Sequence, residues 1–287
     1  MSKINEVRPL EHPYLKVLEC VDDLSKKLYY CGELPGKRIA SVAIVGSRKP
    51  STYGREVTLR FAEGLARQGI VIISGLALGV DAIAHQAALD SSGTTVAVQA
   101  NGLHRLYPAS NRQLGERIIN SGGAIIGEYE PGVDARPYQF LQRNRIISGL
   151  ADAVLITEAA ARSGSLNTAG HALTQGKFVF AVPGNITSPM STGCNALLAQ
   201  GALPATSVDD ILAVISPRTT TDAQMPLAIG STPLEQAIID ALASGLRDGD
   251  DLQTTIGCSQ SELNTALTML EIHGVIASLG ANQWRLY

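Results

Sequence analysis

The sequence predicts an α/β fold, a doubly wound and mostly parallel sheet followed by a small C-terminal winged-helix domain. Six short apolar runs lie between residues 41 and 182, and helical segments separate them. The runs are nearly continuous rather than alternating, as expected of strands covered on both faces. Strand–helix alternation with short links is typical of a parallel sheet. The predicted strands are Ser41–Val45, Ile70–Ser74, Thr94–Val98, Ala124–Glu128, Ala153–Glu158 and Phe178–Val182.

The segments between the runs have the spacing of helices. After the first run, Val57, Phe61 and Leu65 recur at helical spacing, and Gly69 ends the predicted helix. Before the first run, the pattern favours a short helix over residues 14–20 and a short strand over 28–30. We therefore assign residues 1–39 to an N-terminal extension that packs on the core, and residues 40–215 to the sheet domain.

The C-terminal part of the chain begins with a linker. Residues 216–231 are rich in Pro, Thr and Ser and have no clear period. Two helix starts follow, because Thr232 with Glu235 and Ser259 with Glu262 have the spacing of capping boxes. The last residues predict two short strands around residues 280–282. Helices followed by a hairpin indicate a winged-helix domain over residues 232–287.

The composition excludes several classes of protein. Of the 287 residues, 45% are hydrophobic and 17% are charged, as in an ordinary globular protein. No apolar run approaches the roughly 18 residues of a membrane span, and the first residues lack the apolar stretch of a secretory signal. The four cysteines are scattered without a CxxC pair, so we expect a cytoplasmic protein with no metal, disulfide or cofactor.

The charge is unevenly distributed along the chain. The net charge of −3 does not by itself indicate a nucleic-acid binder. Residues 40–215 carry thirteen Lys and Arg against twelve Asp and Glu, whereas residues 216–287 carry three against eight. A polyanion site is therefore expected in the sheet domain, because the acidic C-terminal domain would repel phosphates.

Glycine, serine and arginine residues follow several predicted strands. These positions share the edge of a parallel sheet at which ligands bind, and glycine-rich turns before helices present backbone N–H groups to anions. One such loop can simply close a tight turn, but several on one edge favour a polyanion site. No GxxxxGK[ST] or GxGxxG motif occurs, so neither an ATPase nor a dinucleotide site is predicted. The loops include Gly46-Ser47-Arg48, residues 74–79 and Ser163-Gly164-Ser165.

The strongest basic feature is Arg143-Asn144-Arg145. Two arginines two residues apart diverge on a helix, so one interpretation puts one of them on a phosphate and the other in an internal salt bridge. The alternative is two ordinary surface arginines, and the residue types do not decide between these. Just upstream, Phe140 and Tyr138 have the chemistry to stack on unpaired bases, although Phe140 suits a core position equally well.

Catalytic signals are weak. Asp81 and His85 lie four residues apart on a predicted helix, and we interpret them as a pair on the helix surface. Glu158 ends a predicted strand, and we interpret it as an acceptor for neighbouring loop N–H groups rather than as a base. No GxSxG nucleophile motif occurs.

Seven motifs, in order and spacing, resemble the DprA/Smf family. The resemblance is dense over roughly residues 11–215, and residues 232–287 are similar to the winged helix of that family more loosely. The motifs are VAIVGSRKPSTYG, SGLALGVDAIAHQAAL, GTTVAV with NGLHRLYPASN, GGAIIGEYEPG, RNRIISGL, EAAARSGSLNTAGHAL and VFAVPGNI with STGCNALLAQGA.

The resemblance implies a fold, a function and a binding site. It implies an extended Rossmann-like domain that binds and protects single-stranded DNA, a homodimer, and a recombination mediator that loads RecA during natural transformation. It implies no enzymatic activity. By motif position it implies a DNA pocket, to which we add Phe140 as a stacking residue. The implied pocket residues are Gly46, Ser47, Arg48, Arg143, Asn144, Arg145, Ser163, Gly164 and Ser165.

The chain departs from the family pattern in several places. Ala100 stands where glycine is common, and His104 stands where an acidic or amide residue is common. Phe140-Leu141-Gln142 replaces the usual Phe-Pro-basic, which removes a positive charge next to the site. About forty residues precede the first predicted strand, so the N-terminal helical domain of many members is not expected here.

Two other functions are open to an α/β domain with such an edge. A nucleotide-processing enzyme, similar to the phosphoribohydrolases, would release a base from a nucleoside monophosphate, but the chain lacks their PGGxGTxxE signature. A scaffold for RecA would show no affinity for DNA. Salt-sensitive binding of single strands separates a DNA-binding module from both alternatives.

The acidic winged-helix domain generates a first prediction. Its predicted recognition helix, residues 259–274, contains no Lys or Arg, whereas this fold often reads duplex grooves with a basic recognition helix. Removing residues 220–287 should therefore leave the affinity for a single-stranded oligonucleotide within about two-fold of the full chain, because few phosphate contacts are lost. Fluorescence anisotropy measures this affinity. A large loss on deletion would assign DNA contacts to the winged helix.

Overall fold

The computed structural model describes residues 3–215, 232–244, 246–273, 275–280 and 282–286. The chain divides into two units, residues 1–217 and 218–287. The predicted linker, residues 216–231, lies outside the described residues, and the predicted boundary at residue 39 stays a prediction.

The first unit is built on a sheet that has nine strands within residues 3–215. They are β1 (Asn5–Val7), β2 (Leu28–Gly32), β3 (Ser41–Val45), β4 (Val71–Ser74), β5 (Thr95–Gln99), β6 (Ala124–Gly127), β7 (Ala153–Ile156), β8 (Phe178–Ala181) and β9 (Leu203–Pro204). Their spatial order is β1-β2-β6-β5-β4-β3-β7-β8-β9. Strands β3 to β9 pair in parallel, whereas β1 and β2 form an antiparallel edge.

All six predicted strands are present, each ending within two residues of its expected bounds. The prediction of a doubly wound, mostly parallel sheet is confirmed. The short helix expected over residues 14–20 is a 3₁₀ helix at Leu15–Cys20, and the strand expected over 28–30 is β2. Strands β1 and β9 were not predicted, because three and two residues are too few to show a period.

Helices cover both faces of the sheet. In β3, Ala43 and Val45 belong to the core on one face of the sheet, under the helices at residues 137–150 and 165–174. Val42 and Ile44 belong to the core on the other face, under the helices at residues 52–67, 80–90 and 208–215. In the described parts of the chain, no helix has the length and apolarity to cross a membrane. The helices of this unit are α1 (Thr52–Arg67), α2 (Val80–Asp90), α3 (Arg112–Asn120), α4 (Pro137–Leu150), α5 (Ser165–Thr174), α6 (Thr192–Ala199) and α7 (Val208–Ile215).

The order of the strands reverses next to β3. The chain fills one side of the sheet with β3 to β6 and then returns to place β7 to β9 on the other side. Strands β3 and β7 are therefore direct neighbours, with Val45 paired to Ile156. The loops that follow these two strands lead to opposite faces, and they leave a crevice of the kind in which α/β proteins bind ligands.

The second unit has the predicted winged-helix elements. They are α8 (Pro233–Ala243), α9 (Gly249–Ile256), α10 (Gln260–Ile272) and a hairpin of β10 (Ile276–Gly280) and β11 (Gln283–Leu286). Both capping boxes are confirmed, because Thr232 Oγ1 accepts from Glu235 N at 3.2 Å and Ser259 Oγ accepts from Glu262 N at 3.3 Å. An apolar core that includes Ile238, Leu252 and Leu267 holds the helices together.

The prediction that Asp81 and His85 form a pair on the helix surface is wrong. Asp81 is 7% exposed and His85 is fully buried, because α2 packs against both α1 and the sheet. Thr95 Oγ1 donates to the carbonyl of Ile72 at 2.7 Å and therefore accepts the proton of His85 Nδ1 at 2.6 Å. Burial, helped by the charge of Arg143, lowers the pKa of His85 to about 3.

His85 therefore ties the stability of the fold to pH. The folded state keeps the imidazole neutral down to about pH 3, whereas the unfolded chain binds a proton below about pH 6.5. The free energy of unfolding should thus fall as the pH drops through this window, by up to about 1.4 kcal/mol per pH unit. In His85→Leu this contribution is absent, and urea denaturation between pH 6.5 and 4 should show a shallower fall. Parallel curves for the two proteins would contradict the assignment.

Candidate nucleic-acid interface

A pocket of about 300 Å³ lies where β3 and β7 end. The loop after β3 forms one wall, the start of α5 forms the opposite wall, and α4 with the loop after β4 completes it. The structure brings together eight of the ten predicted site residues, namely Gly46, Arg48, Phe140, Arg143, Asn144, Ser163, Gly164 and Ser165.

Ser47 and Arg145 do not line this pocket. Ser47 Oγ accepts a hydrogen bond from Lys49 N at 3.1 Å and so shapes the turn. Arg145 Nη2 lies 2.8 and 2.9 Å from the two carboxylate oxygens of Glu128. The two arginines diverge along α4 as the sequence predicts, and the internal salt bridge of that interpretation is confirmed for Arg145. The structure thus places Arg145 and Ser47 outside the lining of this pocket, and their expected contacts with DNA stay predictions.

Arg48 and Phe140 stand together at the mouth of the pocket. Arg48 is exposed, and its guanidinium lies 5.7 Å from the centroid of the Phe140 ring. It forms no ion pair with any residue that the structure describes. The Phe140 ring is half-buried, so it is not enclosed in the core and keeps part of its surface for a ligand. A cation above an aromatic ring is attracted to the negative face of the ring, which holds both groups in place.

Arg143 forms the floor of the pocket. Its side chain is 5% exposed, and its Nη1 donates to the carbonyl of Gly75 at 2.8 Å and to the carbonyl of Val98. Its Nη2 makes no hydrogen bond within residues 3–215. Burial lowers the pKa of Arg143 to about 10, although Asp81 opposes the shift. The guanidinium is therefore still charged at neutral pH, and it retains N–H groups for an anion.

Asp81 braces the glycine-rich loop after β4. Its carboxylate accepts hydrogen bonds from Gly75 N at 3.1 Å and from Ala77 N at 3.4 Å. Burial raises the pKa of this carboxyl group, while the charge of Arg143 and the two N–H groups act in the opposite direction. Asp81 also lines the pocket, whereas the sequence pattern predicted it on the helix surface. The sequence did contain a signal for this role, namely an acidic residue in the first turn of a predicted helix that follows a glycine-rich loop.

The start of α5 supplies hydroxyl groups more than backbone amides. Ser163 Oγ and Ser165 Oγ lie 2.7 Å apart. The N–H groups of Leu166 and Asn167 already bind the carbonyl oxygens three residues earlier, both at 3.2 Å. The sequence had predicted that N–H groups at the start of this helix would be available to an anion. The N–H groups of Arg48 and Gly164 have no acceptor among residues 3–215. Arg48 and Gly164 both line the pocket, together with Ser163 and Ser165.

Glu158 joins the loop after β3 to the end of β7. Its carboxylate accepts hydrogen bonds from Ser51 N at 2.9 Å and from Ser51 Oγ. Its carbonyl accepts from Ser47 N at 2.8 Å. The interpretation of Glu158 as an acceptor for loop N–H groups is confirmed. The residue therefore fixes the turn from which Arg48 projects.

The fold and pocket define a Rossmann-like α/β protein that has a crevice lined by arginine and serine side chains at its switch point, and a C-terminal winged helix. The sequence profile of the family described as DNA recombination-mediator protein A matches residues 7–216, and the profile of the DprA winged helix domain matches residues 221–282. The chain belongs to the DNA recombination-mediator protein A family, also called DprA/Smf.

Individual relatives agree with this assignment. Protein Smf of Escherichia coli is 44% identical over 199 residues, which are 69% of this chain and 53% of that protein. The crystal structure of DNA processing protein A from Streptococcus pneumoniae superposes with a TM-score of 0.69 at 39% identity, over 74% of this chain and 75% of that one. The chain spans 53% and 64% of the length of its curated relatives from E. coli and Mycobacterium tuberculosis.

A further solved relative was studied for its mode of binding single-stranded DNA. DNA processing protein A from Helicobacter pylori superposes with a TM-score of 0.65 at 32% identity, over 74% of this chain and 96% of that one.

The fixed position of Glu158 leads to a stability prediction about two helical glycines. A Cβ at Gly54 would lie 2.5 Å from Glu158 Oε2, whereas a Cβ at Gly170 would have no atom within 4 Å. Because Glu158 cannot move without losing its bonds to Ser51, Gly54→Ala should lower the free energy of unfolding by about 1–3 kcal/mol. Gly170→Ala, the control, should raise it by about 0.5–1 kcal/mol. Denaturant unfolding measures both, and equal effects would refute the bracing role of Glu158.

Proposed function

We propose that this chain binds and protects single-stranded DNA through the pocket between β3 and β7. The observation that carries the proposal is the pairing of Arg48, a cation without an ion pair among the described residues, with the half-buried ring of Phe140. A single strand offers a phosphate for the first group and an unpaired base for the second. The family, and the single-stranded DNA binding mode named for the H. pylori relative, support the same conclusion.

The phosphate would lie between the loop after β3 and the start of α5. Arg48 supplies an exposed guanidinium, and Arg143 supplies Nη2 from the floor. The free N–H groups of Arg48 and Gly164 add two donors, and the Ser163–Ser165 pair adds one hydroxyl, because the other hydroxyl donates within the pair. Because none of these groups reads a base edge, binding should be largely independent of sequence.

The preference for single strands follows from Phe140. In a duplex each base is already stacked on its neighbours, so an aromatic side chain gains a stacking partner only where the strand is unpaired. A duplex would therefore use the cationic groups of the pocket without using the ring.

We further propose the biological role that the family resemblance implies. In this role the chain is a homodimeric recombination mediator that works in the cytoplasm and loads RecA on strands taken up during natural transformation. Its winged helix serves contacts between proteins or domains rather than contacts with DNA, since α10 carries no Lys or Arg.

We propose that the chain is not an enzyme. Asp81 lines the pocket and Glu158 follows β7, and the carboxylates of both residues accept backbone N–H groups. A nucleotide-processing enzyme of the phosphoribohydrolase type needs a free acid or base next to its substrate. Incubation with nucleoside monophosphates should accordingly release no base.

The role of Arg48 can be measured through the salt dependence of binding. Each phosphate contact on a single strand contributes about 0.7 to the slope of log K against log salt. Arg48→Ala should weaken binding to an oligothymidine by on the order of 1–3 kcal/mol and reduce the slope by about 0.7. Fluorescence anisotropy over a range of salt concentrations gives both values.

Arg67→Ala is the matched control for this experiment. It removes the same charge from the last turn of α1, where Arg67 is paired with Glu63 at 3.1 Å. Its affinity and slope should equal those of the unmodified chain. Equal affinity of the unmodified chain for single-stranded and double-stranded oligonucleotides would overturn the proposed function.

A further inference from the structure

A second aromatic ring adjoins Phe140 on the side chain of Tyr107. The two ring centroids are 5.5 Å apart, and the ring planes are tilted by 52°. Tyr107 is 42% exposed, and it lies outside the set of residues that line the pocket. Phe140 therefore has Arg48, which lines the pocket, as one neighbour and Tyr107, which does not, as another.

The backbone of Tyr107 is held in place by a buried amide. Gln99, the last residue of β5, is 2% exposed. Its Nε2 donates to the carbonyl of Tyr107 at 2.8 Å, and its Oε1 accepts from Tyr107 N at 3.2 Å. A buried side-chain amide that pairs with both backbone groups of one residue fixes that residue to the sheet. The exposed ring is thus presented from a rigid support.

The phenol group of Tyr107 has no structural partner. Its Oη makes no hydrogen bond within the described part of the chain, and its recorded ring contact is with Phe140. An exposed aromatic ring on a fixed backbone is pre-organised for stacking. The backbone loses no further entropy when a flat ligand binds, and the side chain has only two rotatable bonds to restrict.

The geometry of the two rings defines how bases would stack. At a centroid distance of 5.5 Å the rings touch each other, so no base fits between them. Each ring instead offers its own outer surface, and the tilt of 52° turns the second surface away from the first. We propose that Tyr107 is a second stacking platform, which takes the base next to the one on Phe140. This inference rests on the proposed single-strand binding.

The experiment compares two ligands of equal length and charge, an oligothymidine and an oligomer of abasic nucleotides. Tyr107→Ala should bind the oligothymidine at least about five-fold more weakly than the unmodified chain, as expected for one lost base stack. It should bind the abasic oligomer as the unmodified chain does. Tyr107→Phe should restore binding of the oligothymidine, and Tyr107→Leu should not, because the platform needs an aromatic face and not the hydroxyl.

Phe178→Ala is the matched control, because Phe178 is 49% exposed at the start of β8 and hence at the opposite edge of the parallel sheet. It should bind both ligands normally. An oligothymidine that contains 2-aminopurine adds a direct readout, since stacking quenches this base, and Tyr107→Ala should lose part of the quenching at saturation. Substitution leaves the bonds from Gln99 to the backbone intact, so all variants should fold, which thermal unfolding verifies.

Two results would overturn the stacking role. If Tyr107→Ala binds the oligothymidine as tightly as the unmodified chain does, Tyr107 is not a stacking platform. If Tyr107→Ala loses as much affinity for the abasic oligomer as for the oligothymidine, Tyr107 only supports the shape of the pocket. If the unmodified chain binds neither ligand, the proposed function fails, and the second platform fails with it. This failure is distinguishable from the other two results, because it is seen with the unmodified chain alone.

Discussion

The guanidinium of Arg143 is bonded to the carbonyl oxygens of Gly75 and Val98, which belong to the ends of β4 and β5. A cation that is 5% exposed costs several kcal/mol to remove from water unless dipoles and an opposite charge surround it. Here the two carbonyls and the nearby carboxylate of Asp81 provide this environment. The same contact favours glycine at position 75, since a Cβ there would lie 2.6 Å from Arg143 Nη1 and would displace the guanidinium.

The shape of the pocket follows from this buried charge. Asp81 belongs to the start of α2 and binds the N–H groups of the loop after β4, while Arg143 belongs to α4 and binds carbonyls of the same region. The two side chains thus secure the loop from both faces of the sheet. Glu158 secures the loop after β3, because it accepts hydrogen bonds from Ser51 N and Ser47 N. Because buried groups hold both loops, the exposed guanidinium of Arg48 forms no ion pair within the described residues and remains available to a ligand.

Much of this architecture could be predicted from the sequence, because it depends on patterns among residues that are close together in the chain. A strand buried on both faces is apolar throughout, so its presence shows directly, as in β3 and β7. The divergence of Arg143 and Arg145 follows from helical geometry. The burial of His85 was not predictable, because it depends on Thr95 from a neighbouring strand and on α1 packing over α2. Tyr107 was missed for a similar reason, since its contact with Phe140 joins residues 33 positions apart.

An overall acidic chain can bind a polyanion because electrostatic interactions are local in salt solution. At physiological ionic strength exposed charges are screened beyond roughly 8 Å, so the eight acids of residues 216–287 have little influence on a phosphate that does not approach them. Within the pocket, by contrast, Arg143 acts from a buried position where screening is weak. Partial charges of amides and hydroxyls, which do not enter the net charge, add to the attraction. Net charge is therefore a poorer guide to anion binding than the placement of Arg48, Arg143 and Phe140 around one pocket.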